Sequence, residues 1–153
     1  MTTVLTRALA LGGVDYELIE HPRTETATAE ANALGVSSDE VAKTIVLATP
    51  AGHVRAVLPA SERLDLARVR ELLGDGKTVH LASEEELAKA YPMFELGAVP
   101  PIGGPADAVL VDRCTAERES VIVEAGTHRE SLLMKTADLL TLTEAKVAEI
   151  CER

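Results

Sequence analysis

Two apolar runs joined by a tight turn constrain this chain more than any other feature of it. Val41-Ala42-Lys43-Thr44-Ile45-Val46-Leu47-Ala48 is followed, past a turn at Ala51-Gly52, by a second run from Val54 to Leu58. Ile45-Val46-Leu47 predicts a strand buried on both faces, because a strand with one wet face alternates polar with apolar residues. The pair predicts a central hairpin that the rest of the chain must cover. Lys43 stands at its mouth, where helix gives way to sheet. An ammonium in an apolar run must reach water or meet an anion, since burying it unpaired is costly. Spacing alone allows two readings of Lys43. It is either a solvated lysine at a strand start or a fixed positive charge aimed into a cleft.

Before the hairpin, Thr2 or Thr3 caps a helix with Val4, Leu5, Ala8 and Leu11 on one face, ended by Gly12-Gly13. Val14, Tyr16 and Leu18 alternate with Asp15 and Glu17 as a half-buried strand, which His21-Pro22-Arg23 breaks. Thr26 caps a second helix to Leu34, and Ser37 with Glu40 has capping-box spacing for one turn leading into Lys43. After the hairpin, Leu66, Val69, Leu72 and Leu73 mark a helical face stopped by Gly74, with Arg63, Arg68 and Arg70 as solvated charges. Thr78 to Ala82 is a short strand. Ser83 with Glu86 boxes a helix ending near Tyr91-Pro92. Ala108 to Val111, Val121 to Val123 and Ser131 to Met134 read as further strands, and Thr136 caps a helix through Leu140.

The longest irregular stretch is Leu96 to Pro105, with three glycines and three prolines in ten residues. Such a backbone is both permissive and stiff. Linkers are usually polar, whereas this one holds Leu96, Val99 and Ile102, so it is expected to pack onto the body. A loop of this kind offers backbone N–H groups to a carbonyl or carboxylate.

Charge narrows the partners. The 153 residues carry a net charge of −10, which argues against broad binding to DNA or to a long RNA duplex. Val41 to His80 nevertheless holds six basic and four acidic residues, so a small anion or a nucleotide end can be met locally. With Tyr16, Tyr91 and Phe94 as the only aromatics, a groove that stacks successive bases is not expected. Length predicts one domain over 1–153. No run approaches the roughly 18 apolar residues of a membrane span, and no signal peptide is evident. Cys114 and Cys151 make no disulfide framework, which points to a reducing cytoplasm.

The search for catalytic groups is largely negative. His21, His53, His80 and His128 lie far apart, without metal-ligand spacing, so neither metal nor cofactor is expected. Neither a nucleophile elbow nor a phosphate-binding glycine motif occurs. Cys114, set among charged residues, reads as a surface or partly buried thiol rather than a nucleophile. His128 reads as a turn histidine bonded to backbone.

Several segments, in this order, resemble the YbaK-like family, free-standing relatives of the editing domain inserted in bacterial prolyl-tRNA synthetases. They are Val41 to Leu47, Val57-Leu58-Pro59 with Leu64-Asp65-Leu66, and Leu81-Ala82-Ser83. The G-x-x-x-P loop from Gly97 to Gly103 follows, then Glu124-Ala125-Gly126 ahead of Ala137-Asp138-Leu139-Leu140. The resemblance implies an α/β domain around a mixed, partly barrel-like sheet with flanking helices. It also implies metal-independent hydrolysis of the ester joining a wrong amino acid to the tRNA 3′ end. The partners implied are the CCA end and, for docking, an aminoacyl-tRNA synthetase.

Carried over by position, Lys43 holds the terminal adenosine and phosphate, and Gly97 and Pro101 shape the catalytic loop. Ala98, Val99 and Gly103 complete its grip on the aminoacyl group, and Gly126 and His128 border the same cleft. Gly97 is expected where backbone nears the ester carbonyl, with no room for a Cβ. In members lacking a protein base, the substrate itself, including its ribose 2′-OH, sets up the attacking water or thiol. Such a second sieve serves where one pocket cannot reject a near-isostere. The competing expectation is a non-catalytic module that uses the cleft to hold an aminoacyl or nucleotide end.

Overall fold

The computed structural model describes residues 2–74 and 78–153 and pairs the two apolar runs as the expected hairpin. In chain order the elements are α1 (Thr3–Gly12), β1 (Tyr16–Glu20), α2 (Ala27–Leu34), β2 (Ala42–Thr49), β3 (Gly52–Pro59), α3 (Leu66–Leu73) and β4 (His80–Leu81). There follow α4 (Glu84–Ala90), β5 (Ala108–Asp112), α5 (Arg113–Ala116), β6 (Ser120–Glu124), β7 (Glu130–Lys135), α6 (Thr136–Thr143) and β8 (Lys146–Ala148). The hairpin lies inside a five-stranded sheet of order β4-β2-β3-β5-β8, with β3–β5 and β5–β8 parallel. A second sheet, β1-β7-β6, is antiparallel throughout. The two sheets join at a bridge between Val41 and Ile122, where the Ile122 amide donates to the Glu40 carbonyl at 3.1 Å. No ring of strands closes among the described residues. The mixed α/β domain therefore matches expectation, but "barrel-like" describes it only loosely.

Burial on both faces explains the continuous apolar runs. Along β3, Val54, Ala56 and Leu58 face one core, shared with Val69 of α3, Leu110 and Ile150. Val57 faces the other, with Leu5 and Leu9 of α1, Val109, Val111 and Leu132. Arg55 shares the Val57 face by the two-residue period of a strand. Thr2 and Thr26 each accept an amide and Ser83 with Glu86 makes a full capping box, as expected; Asp65 adds a cap for α3 that was not expected, and Gly13, Gly35 and Gly74 close helices in the left-handed region.

Four expectations are corrected. Leu11 is 83% exposed while Leu9 is fully buried; the two lie roughly 200° apart around a helix, so only one faces the core. Thr136 does not cap α6: it is the first helical residue, the cap position is Lys135, and the Thr136 amide donates to Glu119. Of the strand expected over Thr78 to Ala82, only His80 and Leu81 pair, against Ala48 and Leu47. Arg70 is not simply solvated, because its Nε donates to the Val79 carbonyl at 2.9 Å.

That short β4 matters for function. It covers β2 only at Leu47 and Ala48, β6 reaches the strand at Val41, and the Ala82 amide caps the Val46 carbonyl. From Lys43 to Ile45 the edge of β2 has no neighbouring strand among the described residues. The gap is the mouth of a cleft.

Candidate active site

The unpaired edge of β2 and the glycine–proline loop face each other across a cavity of about 280 Å3. Thr44 and Val46 supply one wall, Gly97 and Val99 another, with Ala82 and Leu87 completing it. No charged side chain lines it. Thr44 is a residue the sequence reading passed over. Its Oγ1 is buried, closed off from solvent and without a hydrogen-bond partner, a costly state. Among the described residues, neither the Gly97 nor the Val99 amide has an acceptor in the protein. The wall thus carries two backbone amides without an acceptor, in apolar surroundings.

Lys43 points to the other side of the strand, as alternation along β2 requires. It lines a second groove, of about 510 Å3, with Arg63, Asp65 and Glu152. The groove and the cavity share Ile45 and Leu81, so an apolar ridge separates the lysine from the loop. Lys43 Nζ lies 3.5 Å from the Ala60 carbonyl, and no carboxylate pairs with it among the described residues. Burial, with the Arg63 cation acting in the same direction, holds its ammonium below the usual lysine range, while Glu62 pulls the other way. Lys43 and Gly97 thus line adjoining pockets, on opposite flanks of a ridge.

The expected loop residues separate into two groups. Gly97 and Val99 line the cavity, whereas Ala98 is wholly buried and Pro101 and Gly103 line a cavity of about 470 Å3 on the other side of the loop. Gly97 has φ +84°, and an added Cβ would meet His128 Cε1 at 3.2 Å. The close approach expected at the ester is therefore one to a histidine. His128 is 5% exposed, and its Nε2 donates to the Leu96 carbonyl at 2.5 Å. Gly126 has φ +92°, and a Cβ there would meet the Phe94 ring at 3.0 Å; its carbonyl accepts the Glu95 amide. His128 and Gly126 act on the loop and its approach, and neither lines the cavity.

Beneath the β6–β7 hairpin lies a buried acid pair that periodicity does not reveal. Glu30 of α2 is 1% exposed and Glu124 of β6 9%. Ser131, paired with Glu124 across the strands, donates to Glu30 and sits 2.9 Å from His21 Nε2. Burial raises both carboxyls, and the Glu30 charge helps push Glu124 up from 4.5 to about 9. A carboxyl protonated more readily in the folded chain than in the unfolded one stabilises the fold at low pH. That contribution is lost as pH rises from about 4.5 to about 9. The thermal midpoint is expected to fall across this window and Glu124→Gln to flatten the fall. A wild-type midpoint that holds constant or rises there would contradict the raised carboxyls.

Among the described residues, no group of three or more His, Cys, Asp or Glu stands together as a metal site, and no helix is long and apolar enough to cross a membrane. Cys114 is partly buried and Cys151 buried, both as free thiols.

Several solved structures share the fold of the whole chain. Hypothetical protein APE2540 superposes with a TM-score of 0.88 at 28% identity, covering 97% of this chain and 99% of that one. A candidate trans-editing enzyme for prolyl tRNA synthetase gives 0.88 at 27% identity, with 100% and 99% covered. A scaffold protein used for computational epitope grafting gives 0.89 at 26%, with 99% and 97% covered. The family model of the aminoacyl-tRNA editing domain matches residues 21–142, which span the acid pair, Lys43, the glycine–proline loop and His128. The chain belongs to the aminoacyl-tRNA editing domain family.

Proposed function

We propose that this protein is a free-standing deacylase that hydrolyses the ester of a tRNA carrying the wrong amino acid. Water adds to the aminoacyl carbonyl carbon, the bond from that carbon to the ribose oxygen breaks, and the ribose oxygen leaves as a hydroxyl. One observation carries the reading. In a chain of the editing-domain family, a lysine without a carboxylate partner and a loop with free amides flank one open strand edge. The developing oxyanion meets the Gly97 and Val99 amides, donors already fixed before substrate arrives. The terminal nucleotide crosses the Ile45–Leu81 ridge, so that its phosphate meets Lys43.

His128 is committed to Leu96, and the attacking water is oriented by the substrate's own 2′-OH. The reaction proposed uses no metal, the candidate donors being scattered among the described residues. Because the cavity wall carries no charge, the amino acid removed has an uncharged side chain; an ionised one would be desolvated without a partner.

The deciding experiment is single-turnover hydrolysis of a panel of mischarged tRNAs. The first to test are those charged by prolyl-tRNA synthetase, given the trans-editing relative. Release of one uncharged amino acid supports the reading. Tight binding across the panel without turnover favours a non-catalytic module. Contact confined to the CCA end frees few counterions, so affinity is expected to fall only shallowly with salt. A log–log slope equivalent to about six phosphates or more would mean that the stem is gripped as well.

A further inference from the structure

We propose that Arg55 is a positioning residue of the loop, holding the free amides of Gly97 and Val99 on target from behind. The inference rests on the deacylase reading for its catalytic consequence, though not for the loop geometry. Arg55 is 1% exposed in the middle of β3, in a run otherwise apolar from Val54 to Leu58. Its Nη1 donates to the Pro100 carbonyl at 2.9 Å. Its Nη2 donates to the Gly103 carbonyl at 2.7 Å and the Pro105 carbonyl at 3.1 Å. Nε donates to Asp107 Oδ2 at 3.0 Å, which also accepts the Tyr91 hydroxyl at 2.5 Å, and the guanidinium lies 5.1 Å from the Tyr91 ring centre.

The loop's composition explains why it needs such a partner. Pro100, Pro101 and Pro105 have no N–H, so the stretch cannot pair its carbonyls through a regular backbone ladder. A buried guanidinium supplies several donors in one rigid plane. An ammonium, a compact point charge, cannot serve three carbonyls and a carboxylate spread around that plane.

The position of the clamp gives it a catalytic meaning. Leu96 and Pro100 immediately bracket the segment Gly97 to Val99. His128 holds the Leu96 carbonyl and Arg55 holds the Pro100 carbonyl. The segment bearing the two free amides is thus fixed at both ends by side-chain donors. Loss of either end lets the amides drift, and misplacement by about 1 Å costs on the order of a hundredfold in rate.

The test uses Arg55→Lys, Arg55→Ala and Tyr91→Phe in the full chain. Single-turnover hydrolysis is measured beside affinity for the same tRNA and amide hydrogen exchange over residues 96–105. Arg55→Lys is expected to slow hydrolysis roughly tenfold to a hundredfold while affinity changes less than about threefold. Exchange at Ala98, the buried amide between Gly97 and Val99 that donates to the Glu95 carbonyl at 3.0 Å, should quicken. Guanidinium at non-denaturing concentration, entering through the cavity lined by Arg55 and Asp107, should restore part of the rate of Arg55→Ala. Should Arg55→Ala fail to fold, Tyr91→Phe, which removes only the hydroxyl from Asp107, should shift rate and exchange the same way by less.

A folded Arg55→Lys with wild-type rate and exchange overturns the proposal, as does a rate loss with unchanged exchange. If the wild type hydrolyses no mischarged tRNA, the editing function falls. The exchange data then still decide whether Arg55 orders the loop.

Discussion

Lys43→Ala is expected to lower single-turnover deacylation by about 10³-fold or more while changing the unfolding free energy by less than about 1 kcal/mol. The expected gap between the two effects comes from how Lys43 is held. Its ammonium is partly desolvated and touches one carbonyl at 3.5 Å, so the folded chain gains little from it. A cation kept without an anion in the free protein is ready for one in the substrate. Arginine is a poor replacement, because its fork is longer and planar where the groove offers a place for a point charge. Activity and a urea midpoint measured on the same preparation check the prediction. A mutant that unfolds would make Lys43 structural, and one that stays fully active would remove it from the mechanism.

Gly97→Ala is expected to lose about 10²–10³ in turnover, the usual consequence of spoiling one oxyanion donor. Stability should also fall, by about 1–2 kcal/mol, because the residue sits at φ +84°, where an L side chain is strained. The sequence placed the obstruction at the ester, whereas the structure places it at His128, 3.2 Å from the would-be Cβ. This changes the experiment. Adding His128→Ala to Gly97→Ala removes the clash while leaving the strained φ, so the double variant should be less damaged than the two single losses imply. Hydrolysis by the four proteins of this cycle, each with its melting curve, reads the coupling. Strict additivity would mean that His128 and Gly97 act independently, and a wild-type rate in Gly97→Ala would remove the loop from the chemistry. Pro101→Ala should have the milder effect, because Pro101 faces the cavity behind the loop and contributes no donor.

What the sequence alone determined was local. Caps, turns and periodicity depend on residues a few positions apart, so Thr2, Thr26 and the Ser83–Glu86 box could be placed with their helices, and the apolar runs with their hairpin. The order of short motifs pointed to the editing-domain family for the same reason. Lys43 at a strand start and a glycine–proline loop were also legible.

The tertiary structure decided how those pieces meet. Alternation along β2 turns Lys43 away from the loop, so a ridge at Ile45 and Leu81 separates them, a relation visible only once β4 is seen to end at Leu81. Arg55 reads as a flaw in an apolar strand until the chain returns with carbonyls 45, 48 and 50 residues further on. Glu30 and Glu124 look like solvated acids until α2 is laid over the β6–β7 hairpin and buries them together. The physical reason is common to all three. Periodicity records how much water a residue sees, but a buried polar group is satisfied by whatever partner the fold brings to it, at any sequence separation.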